Sequence, residues 1–150
     1  MLFRSFPINN RTAAVEALAN GHVDYVLTGP AEYIVFRARA KAVPVVAWQR
    51  LDYFTQLVVT NESSVKTLAD MKGKVIAFGE VGSTSTHLGP AQLLASIGLM
   101  PNKDYKAMNI HRNVSIEALL RGDVDAVAVG PSHLFNIRDK FTDVGLRGAA

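Results

Sequence analysis

At 150 residues, with 49% hydrophobic and 19% charged residues, the chain has the composition of a globular protein of one domain or two small lobes. A net charge of +3 without a dense basic run argues against nucleic acid as a partner, and the lack of cysteine excludes disulfides and thiolate metal sites. No apolar run approaches the roughly 20 residues of a membrane span, and the start lacks the apolar core of a secretory signal.

The first third of the chain alternates between helix and strand patterns. Glycine after the first helical pattern and proline at the start of the second are ordinary helix boundaries. In chain order, the predicted elements are a strand over 2–6, a helix over 12–20, a strand over 23–27, a helix over 31–40 and a strand over 43–48.

The rest of the chain continues the same alternation. Residues 53–59 are long enough for a strand that crosses between two halves of the molecule. The remaining predictions are a short helix over 64–71, a strand over 74–78, a helix over 88–97, a strand over 105–110, a helix over 115–120, a strand over 124–129 and a helix over 131–138. This order predicts an α/β protein with a largely parallel sheet.

One segment of the chain occurs twice. Residues 15–30 match residues 116–131 without a gap, and each copy has a helix, a Gly, a Val-Asp strand and a Gly-Pro turn. A true repeat predicts two similar α/β lobes with a cleft between the carboxyl ends of their strands, whereas coincidental similarity of two amphipathic units remains the alternative. Thr28 stands at such a carboxyl end and is a candidate cleft residue.

The stretch 79–90, Gly-Glu-Val-Gly-Ser-Thr-Ser-Thr-His-Leu-Gly-Pro, is the most informative part of the sequence. It follows a strand pattern and precedes a helix pattern, so its four hydroxyl residues stand where a helix begins. Exposed N–H groups and the positive end of the helix dipole favour an anion there. Ser and Thr are also ordinary helix caps that bind nothing, so the motif alone leaves both interpretations open.

Together, these residues resemble the periplasmic substrate-binding proteins of phosphonate, phosphite and phosphate ABC transporters, the PhnD-like group of type 2 binding proteins. The resemblance covers nearly the whole chain. It rests on the Gly-x-Val-Asp units, on Asp-Tyr-Phe-Thr at 52–55, on Leu-Ala-Asp-Met-Lys-Gly-Lys at 68–74, on Ser-Thr-Ser at 83–85 with Pro90 beyond, and on the later His111.

The resemblance implies which residues contact an oxyanion. The family's contacts fall on Tyr53, Ser83, Thr84, Ser85 and His111, which are neutral donors or a titratable imidazole. It implies neither a cofactor nor a metal, and no catalytic residue.

Three positions depart from the family pattern. Thr86 stands where the family usually has Gly, which alters the helix start, and Thr28 falls where some relatives have Tyr. Ser132 stands where aminophosphonate binders carry an acid. Without that acid an amino group on the ligand loses a counter-charge, so the expected ligand is phosphite, phosphate or a small alkylphosphonate.

The chain is also shorter than the family. The amino-terminal strand and helix of the first lobe and the return into that lobe are expected to be missing, as in a fragment. The prediction is a partial first lobe over 1–56 and a second lobe over 57–150, with a crossing segment at about 50–60.

The function implied is capture of a phosphorus oxyanion for import. Its partners are then the ligand and the permease of an ABC transporter, with the membrane reached only through that permease, and its compartment is the periplasm. A ligand-sensing effector domain of a regulator or sensor is the alternative. An enzyme is not expected, because the sequence has no Gly-x-Ser-x-Gly elbow and no His-x-x-x-His metal spacing.

Overall fold

The computed structural model describes residues 4–8, 10–134 and 146–148. The chain divides into two compact units, an amino-terminal unit at Met1–Gln49 and a carboxyl-terminal unit at Arg50–Ala150. The boundary near residues 56 and 57 that the sequence suggested stays a prediction.

The amino-terminal unit contains helices α1 (Arg11–Ala19) and α2 (Pro30–Ala40). Asn10 begins α1, because its side-chain oxygen accepts hydrogen bonds from two backbone N–H groups of the first turn. Pro30 occupies the first turn of α2, where a missing N–H costs nothing. The helices share a small core of Ala14, Val15 and Phe36.

The strands predicted over 23–27 and 43–48 are wrong, since residues 10–49 contain no strand. The predicted strand over 2–6 lies partly outside the described residues. Side chains that favour strands do not form one without a hydrogen-bonded neighbour, and neither segment pairs with another in the described part of this unit. Several of their apolar side chains are exposed as a result, including Tyr25, Leu27, Val45, Val46 and Trp48.

The carboxyl-terminal unit is built on one five-stranded sheet of order β3-β2-β4-β1-β5. The strands are β1 (Gln56–Thr60), β2 (Val75–Phe78), β3 (Lys106–Asn109), β4 (Ala126–Val129) and β5 (Leu146–Gly148).

Strand β2 runs parallel to β3 and β4, as predicted, whereas β1 runs antiparallel to β4 and β5. Parallel neighbours need a crossover, usually a helix. β1 is followed only by a 3₁₀ turn and pairs with β4 rather than β2, so no crossover sets its direction. The expectation of a largely parallel sheet therefore holds for β2, β3 and β4 only.

Both faces of the sheet are buried at β1, β2 and β4, which explains the nearly continuous apolar character of these three strands. One face packs on helix α3 (Gly89–Ser96) through Leu94, and the other packs on helix α4 (Arg112–Arg121) through Ile116 and Leu119. The strand residues alternate between the two faces, with Leu57, Val59, Ile76, Phe78 and Ala128 on the first and Val58, Ala77, Val127 and Val129 on the second.

Two predicted helices differ from the structure. The segment 64–71 forms a 3₁₀ turn at Leu68–Met71 with a capping box between Thr67 and Asp70. Of the helix predicted over 131–138, residues 131–134 are helical and the rest lie outside the described residues. Within the described ranges, no helix combines the length and apolarity that crossing a bilayer requires.

The repeated Asp125 has a structural role. Its carboxylate accepts a hydrogen bond from the Val75 N–H at 2.8 Å, and its own N–H donates to the Val75 carbonyl at 2.8 Å. These bonds tie the entry of β4 to the start of β2, so the strand that leads into the hydroxyl-rich stretch is anchored at its beginning.

Candidate functional site

The hydroxyl-rich stretch lies at the carboxyl end of β2, where the sequence placed it. Ser83 caps the following helix, which opens with a π-helical turn at Thr84–Leu88 and continues directly as α3. The wide turn is visible in the bonds, because the Leu88 N–H reaches the Ser83 carbonyl at 2.9 Å. Isolated π turns are often found at functional sites.

Pro90 explains how this helix start is attached to the rest of the unit. Proline has no N–H, so the carbonyls one α or π step before it, those of Thr86 and Ser85, lose their intrahelical partner there. The Thr86 carbonyl instead accepts from the Gly79 N–H at 2.8 Å, and the Ser85 carbonyl accepts from the Thr55 hydroxyl at 2.6 Å. The loop is thus held by two contacts to chain segments outside the helix.

Tyr53 and Ser85 are brought together. The Tyr53 hydroxyl donates to the Ser85 hydroxyl at 3.0 Å, with Ser85 buried and Tyr53 38% exposed. Gly130, at the carboxyl end of β4, packs against the same serine, since a Cβ on Gly130 would lie 2.7 Å from the Ser85 oxygen. Ser85 therefore lies where two strand ends come together. The loop that contains Ser85 follows β2, and Gly130 of the Gly-Pro turn follows β4.

Ser83 forms a second hydroxyl pair. The Thr86 hydroxyl donates to the Ser83 oxygen at 2.8 Å, and the Thr86 N–H reaches the same oxygen at 3.4 Å. Thr86 has room because residue 79 is glycine, where an added Cβ would lie 2.7 Å from the Thr86 Cβ. Thr86 therefore lies within the π turn with its side chain folded back on Ser83, and the effect of a threonine in place of the family's glycine stays a prediction.

His87 lies against the loop rather than pointing away from it. Its Nδ1 accepts from the Gly82 N–H at 3.2 Å, and its ring meets Phe78 edge-on with centroids 6.0 Å apart. Burial lowers the pKa of His87 below its usual value of 6.5. The imidazole is therefore neutral at pH 7, with its proton on Nε2.

His111 follows β3 at the same edge of the sheet. The adjoining strand ends are fixed together, because the Ile110 N–H donates to the Phe78 carbonyl at 2.8 Å and the Asn109 amide donates to the Gly79 carbonyl at 2.7 Å. His111 itself is exposed, and its carbonyl accepts from the first turn of α4. Thr28 belongs to the amino-terminal unit, where it is exposed shortly before α2.

Sequence reasoning missed three residues of this region. Arg50 places its guanidinium 4.1 Å from the centre of the Tyr53 ring, which is a cation–π contact that brings a positive charge beside the phenol. Thr55 and Asn109 anchor the loop through the bonds already described. Thr55 lies inside the Asp-Tyr-Phe-Thr segment at 52–55, whereas no local pattern marks Arg50 or Asn109.

The chemistry of this region is that of neutral donors. Ser83, Thr84, Ser85 and Tyr53 offer hydroxyls, the helix start offers backbone N–H groups, and Arg50 adds one nearby cation. No cluster of three potential metal ligands occurs among the residues that the structure describes. Such a set can surround an oxyanion without a fixed counter-ion at each oxygen.

Comparison with solved structures shows the fold. The methylphosphonate complex of PhnD1 from Prochlorococcus marinus is 24% identical with a TM-score of 0.80, and the match covers 97% of this chain and 58% of that one. The binding component of an ABC phosphonate transporter from Pseudomonas aeruginosa is 19% identical with a TM-score of 0.78, over 98% of this chain and 53% of that one. The periplasmic sulfonate-binding protein SsuA of Methylobacillus flagellatus is 28% identical with a TM-score of 0.70, over 93% of this chain and 40% of that one.

The chain thus spans about half the length of these structures or less. A Haemophilus influenzae protein named for thiamine biosynthesis is 41% identical over 71 residues, which are 47% of this chain and 21% of that protein. The architecture is the α/β fold of type 2 periplasmic binding proteins with one lobe incomplete, as the resemblance implied.

The sequence profile of a family described as "ABC transporter, phosphonate, periplasmic substrate-binding protein" matches residues 1–142. The chain therefore belongs to this family of phosphonate-binding transport proteins, which is not a family of enzymes.

Proposed function

We propose that this chain captures a phosphorus oxyanion at the hydroxyl-rich helix start and serves an ABC importer in the periplasm. The observation that carries the proposal is the arrangement at Ser83–Thr86. Four hydroxyl residues open a helix at the carboxyl end of β2, and the Tyr53 phenol joins them through Ser85.

The donor geometry supports an anion rather than a cation or an apolar ligand. A helix start carries unsatisfied N–H groups and roughly half a positive charge. Neutral hydroxyls add hydrogen bonds without the desolvation cost of buried lysine or arginine side chains. A tetrahedral oxyanion with two or three terminal oxygens can accept from several donors of this kind at once.

Arg50 supplies charge at a distance. Its guanidinium is stacked on the Tyr53 ring rather than placed in the hydroxyl loop, so it raises the local positive potential without claiming an oxygen of the ligand. This arrangement suits a phosphonate or phosphite, whose second negative charge needs partial rather than full neutralisation.

We expect ligands without an amino group to bind best. Ser132 stands where aminophosphonate binders are expected to carry an acid, so an ammonium group would be left without a partner at that position. The proposed ligands are phosphite, phosphate and small alkylphosphonates. The likeness to sulfonate-binding SsuA makes methanesulfonate the most informative competitor, because it matches methylphosphonate in shape but carries a single charge.

The test is calorimetric titration of the 150-residue chain with phosphite, phosphate, methylphosphonate, 2-aminoethylphosphonate and methanesulfonate. The Ser83→Ala/Thr84→Ala variant should lose binding. Ser96→Ala is the matched control, since Ser96 lies at the other end of the same helix and its hydroxyl donates to the Leu93 carbonyl.

The proposal predicts saturable binding of at least one phosphorus oxyanion that is lost in the double variant and kept in Ser96→Ala. Hydrogen bonds to charged groups contribute about 1.5–3 kcal/mol each, so removing two should weaken binding more than a hundredfold. Equal binding by the double variant and the wild type would refute the assignment of the loop. Preference for methanesulfonate would replace the phosphorus oxyanion by a sulfonate.

A further inference from the structure

The Ser83 hydroxyl has an unusual hydrogen-bonding environment. A serine hydroxyl has one proton to donate and two lone pairs that accept. The Ser83 oxygen accepts from the Thr86 hydroxyl at 2.8 Å and from the Thr86 N–H at 3.4 Å, so both lone pairs are directed at a single residue. A serine oxygen that accepts from Thr86 in this way keeps its proton for a bond to another group.

We propose that Thr86 is a positioning residue that fixes Ser83 as a one-way donor toward the bound anion. This inference rests on the proposed function and deepens it. It assigns a role to Thr86, and it makes the site selective for ligands whose oxygens accept hydrogen bonds.

The fold holds Thr86 in place for this task. Its carbonyl accepts from the Gly79 N–H at 2.8 Å, and the Gly79 carbonyl in turn accepts from the Asn109 amide at 2.7 Å. Its side chain occupies the space that a Cβ on Gly79 would need. Threonine is also restricted in its side-chain rotation, which limits the orientations open to its hydroxyl.

Two physical effects follow from the fixed donor. A hydroxyl whose proton already points at the ligand loses little rotational freedom on binding, which is the benefit of preorganisation. A chain in which Thr86 donates to Ser83 and Ser83 donates to an oxyanion also strengthens each bond by polarisation. A ligand oxygen that itself carries a proton gains less, because it is a weaker acceptor than an anionic oxygen and the Ser83 oxygen is already occupied by Thr86.

The test is a double-mutant cycle with methylphosphonate, measured by calorimetry on the 150-residue chain. Ser83→Ala should weaken binding about tenfold or more, and Thr86→Val, which keeps the shape of the side chain and removes the hydroxyl, should weaken it about threefold to tenfold. Thr86→Ser restores the hydroxyl and should bind as the wild type does. In the Ser83→Ala background, Thr86→Val should have no further effect, because the residue acts through Ser83.

A second ligand gives a readout that general damage to the loop would not move. Binding of the methylphosphonate monoanion, studied below the second ionisation of the ligand, should differ less between Thr86→Val and the wild type than binding of the dianion does. If the valine methyl is not accommodated beside Gly79 and the melting temperature falls, Thr86→Ala replaces it in the same cycle.

This inference alone would be overturned if Ser83→Ala weakened binding while Thr86→Val bound as tightly as the wild type, or more tightly. The Ser83 proton would then have pointed at Thr86. An equal loss from Thr86→Val with and without Ser83 would also overturn it, since Thr86 would act independently. Full binding by Ser83→Ala would also overturn this inference, since Ser83 would then not contact the ligand. The proposed function fails on a different result, which is that the wild-type chain shows no saturable binding of any of the phosphorus oxyanions.

Discussion

Gly130 is the position where one added methyl group tests the packing of the site. A Cβ added at Gly130 would lie 2.7 Å from the Ser85 side-chain oxygen and 3.2 Å from the Ser85 Cβ. In Gly130→Ala, Ser85 must therefore move its oxygen by about half an ångström or rotate it away, and rotation breaks the 3.0 Å bond with Tyr53.

The expected loss in the free energy of unfolding is set by whichever of these two responses costs less free energy. Keeping the serine in place against an added methyl costs about 1–3 kcal/mol by overpacking, whereas rotating it forfeits a neutral hydrogen bond of about 1 kcal/mol. We expect a loss of about 1 kcal/mol in the free energy of unfolding, which lowers the melting temperature by roughly 5 °C for a unit of this size. Methylphosphonate affinity should fall as well, since Ser85 is a proposed contact.

The assay is urea unfolding of the single and double variants. In Ser85→Ala the clashing oxygen is absent, so Gly130→Ala should cost much less there than in the wild type, with a coupling energy of about 1 kcal/mol. Ser96→Ala provides the matched control. Ser96 lies at the far end of α3 from Ser85, so the unfolding free energies of Ser96→Ala and Gly130→Ala should add. Strict additivity between Gly130→Ala and Ser85→Ala would refute the packing argument.

Three further outcomes are expected. Leu94→Ala removes a fully buried side chain of α3 and should cost about 2–5 kcal/mol in urea unfolding, whereas a cost below about 1 kcal/mol would contradict its place in the core. Asp125→Ala should cost about 1 kcal/mol because the Val75 N–H at the start of β2 loses its acceptor, and no change would show that the N–H finds another. Burial lowers the pKa of His87, so the unfolded chain takes up the proton first. Stability is complete above about pH 6.5 and falls as the pH drops from there through the folded-state pKa. His87→Gln should flatten that slope in unfolding measured between about pH 5 and 7.5, and an unchanged slope would exclude His87 as its source.

The sequence predicted the carboxyl-terminal unit well because its patterns are local. Apolar runs gave β2 and β4, the mixed segment 105–110 gave β3, and the glycine and hydroxyl pattern of 79–90 located the helix start. The Ser83 cap is likewise a local interaction within one turn. These features depend on neighbours in sequence, so no knowledge of the tertiary structure was needed to predict them.

The failures share one cause, which is dependence on partners remote in sequence. Residues 23–27 and 43–48 have the composition of strands but no hydrogen-bonded neighbour among the described residues, so they do not pair. The π turn depends on carbonyls that Pro90 leaves without an intrahelical partner and that Thr55 and Gly79 then occupy. The Arg50 contact with Tyr53 depends on the turn at residues 51 and 52, which the sequence pattern did not predict.

The central claim is that the helix start at Ser83–Thr86 binds a phosphorus oxyanion, and a titration followed by amide chemical shifts tests it most directly. The ¹⁵N-labelled chain is titrated with methylphosphonate, with sodium chloride at equal ionic strength as the reference. We predict saturable shifts that are largest for the amides of Thr84, Ser85 and Thr86. The claim would be contradicted if no amide shifted in a saturable way, or if the shifts were confined to amides beside exposed basic residues elsewhere in the chain.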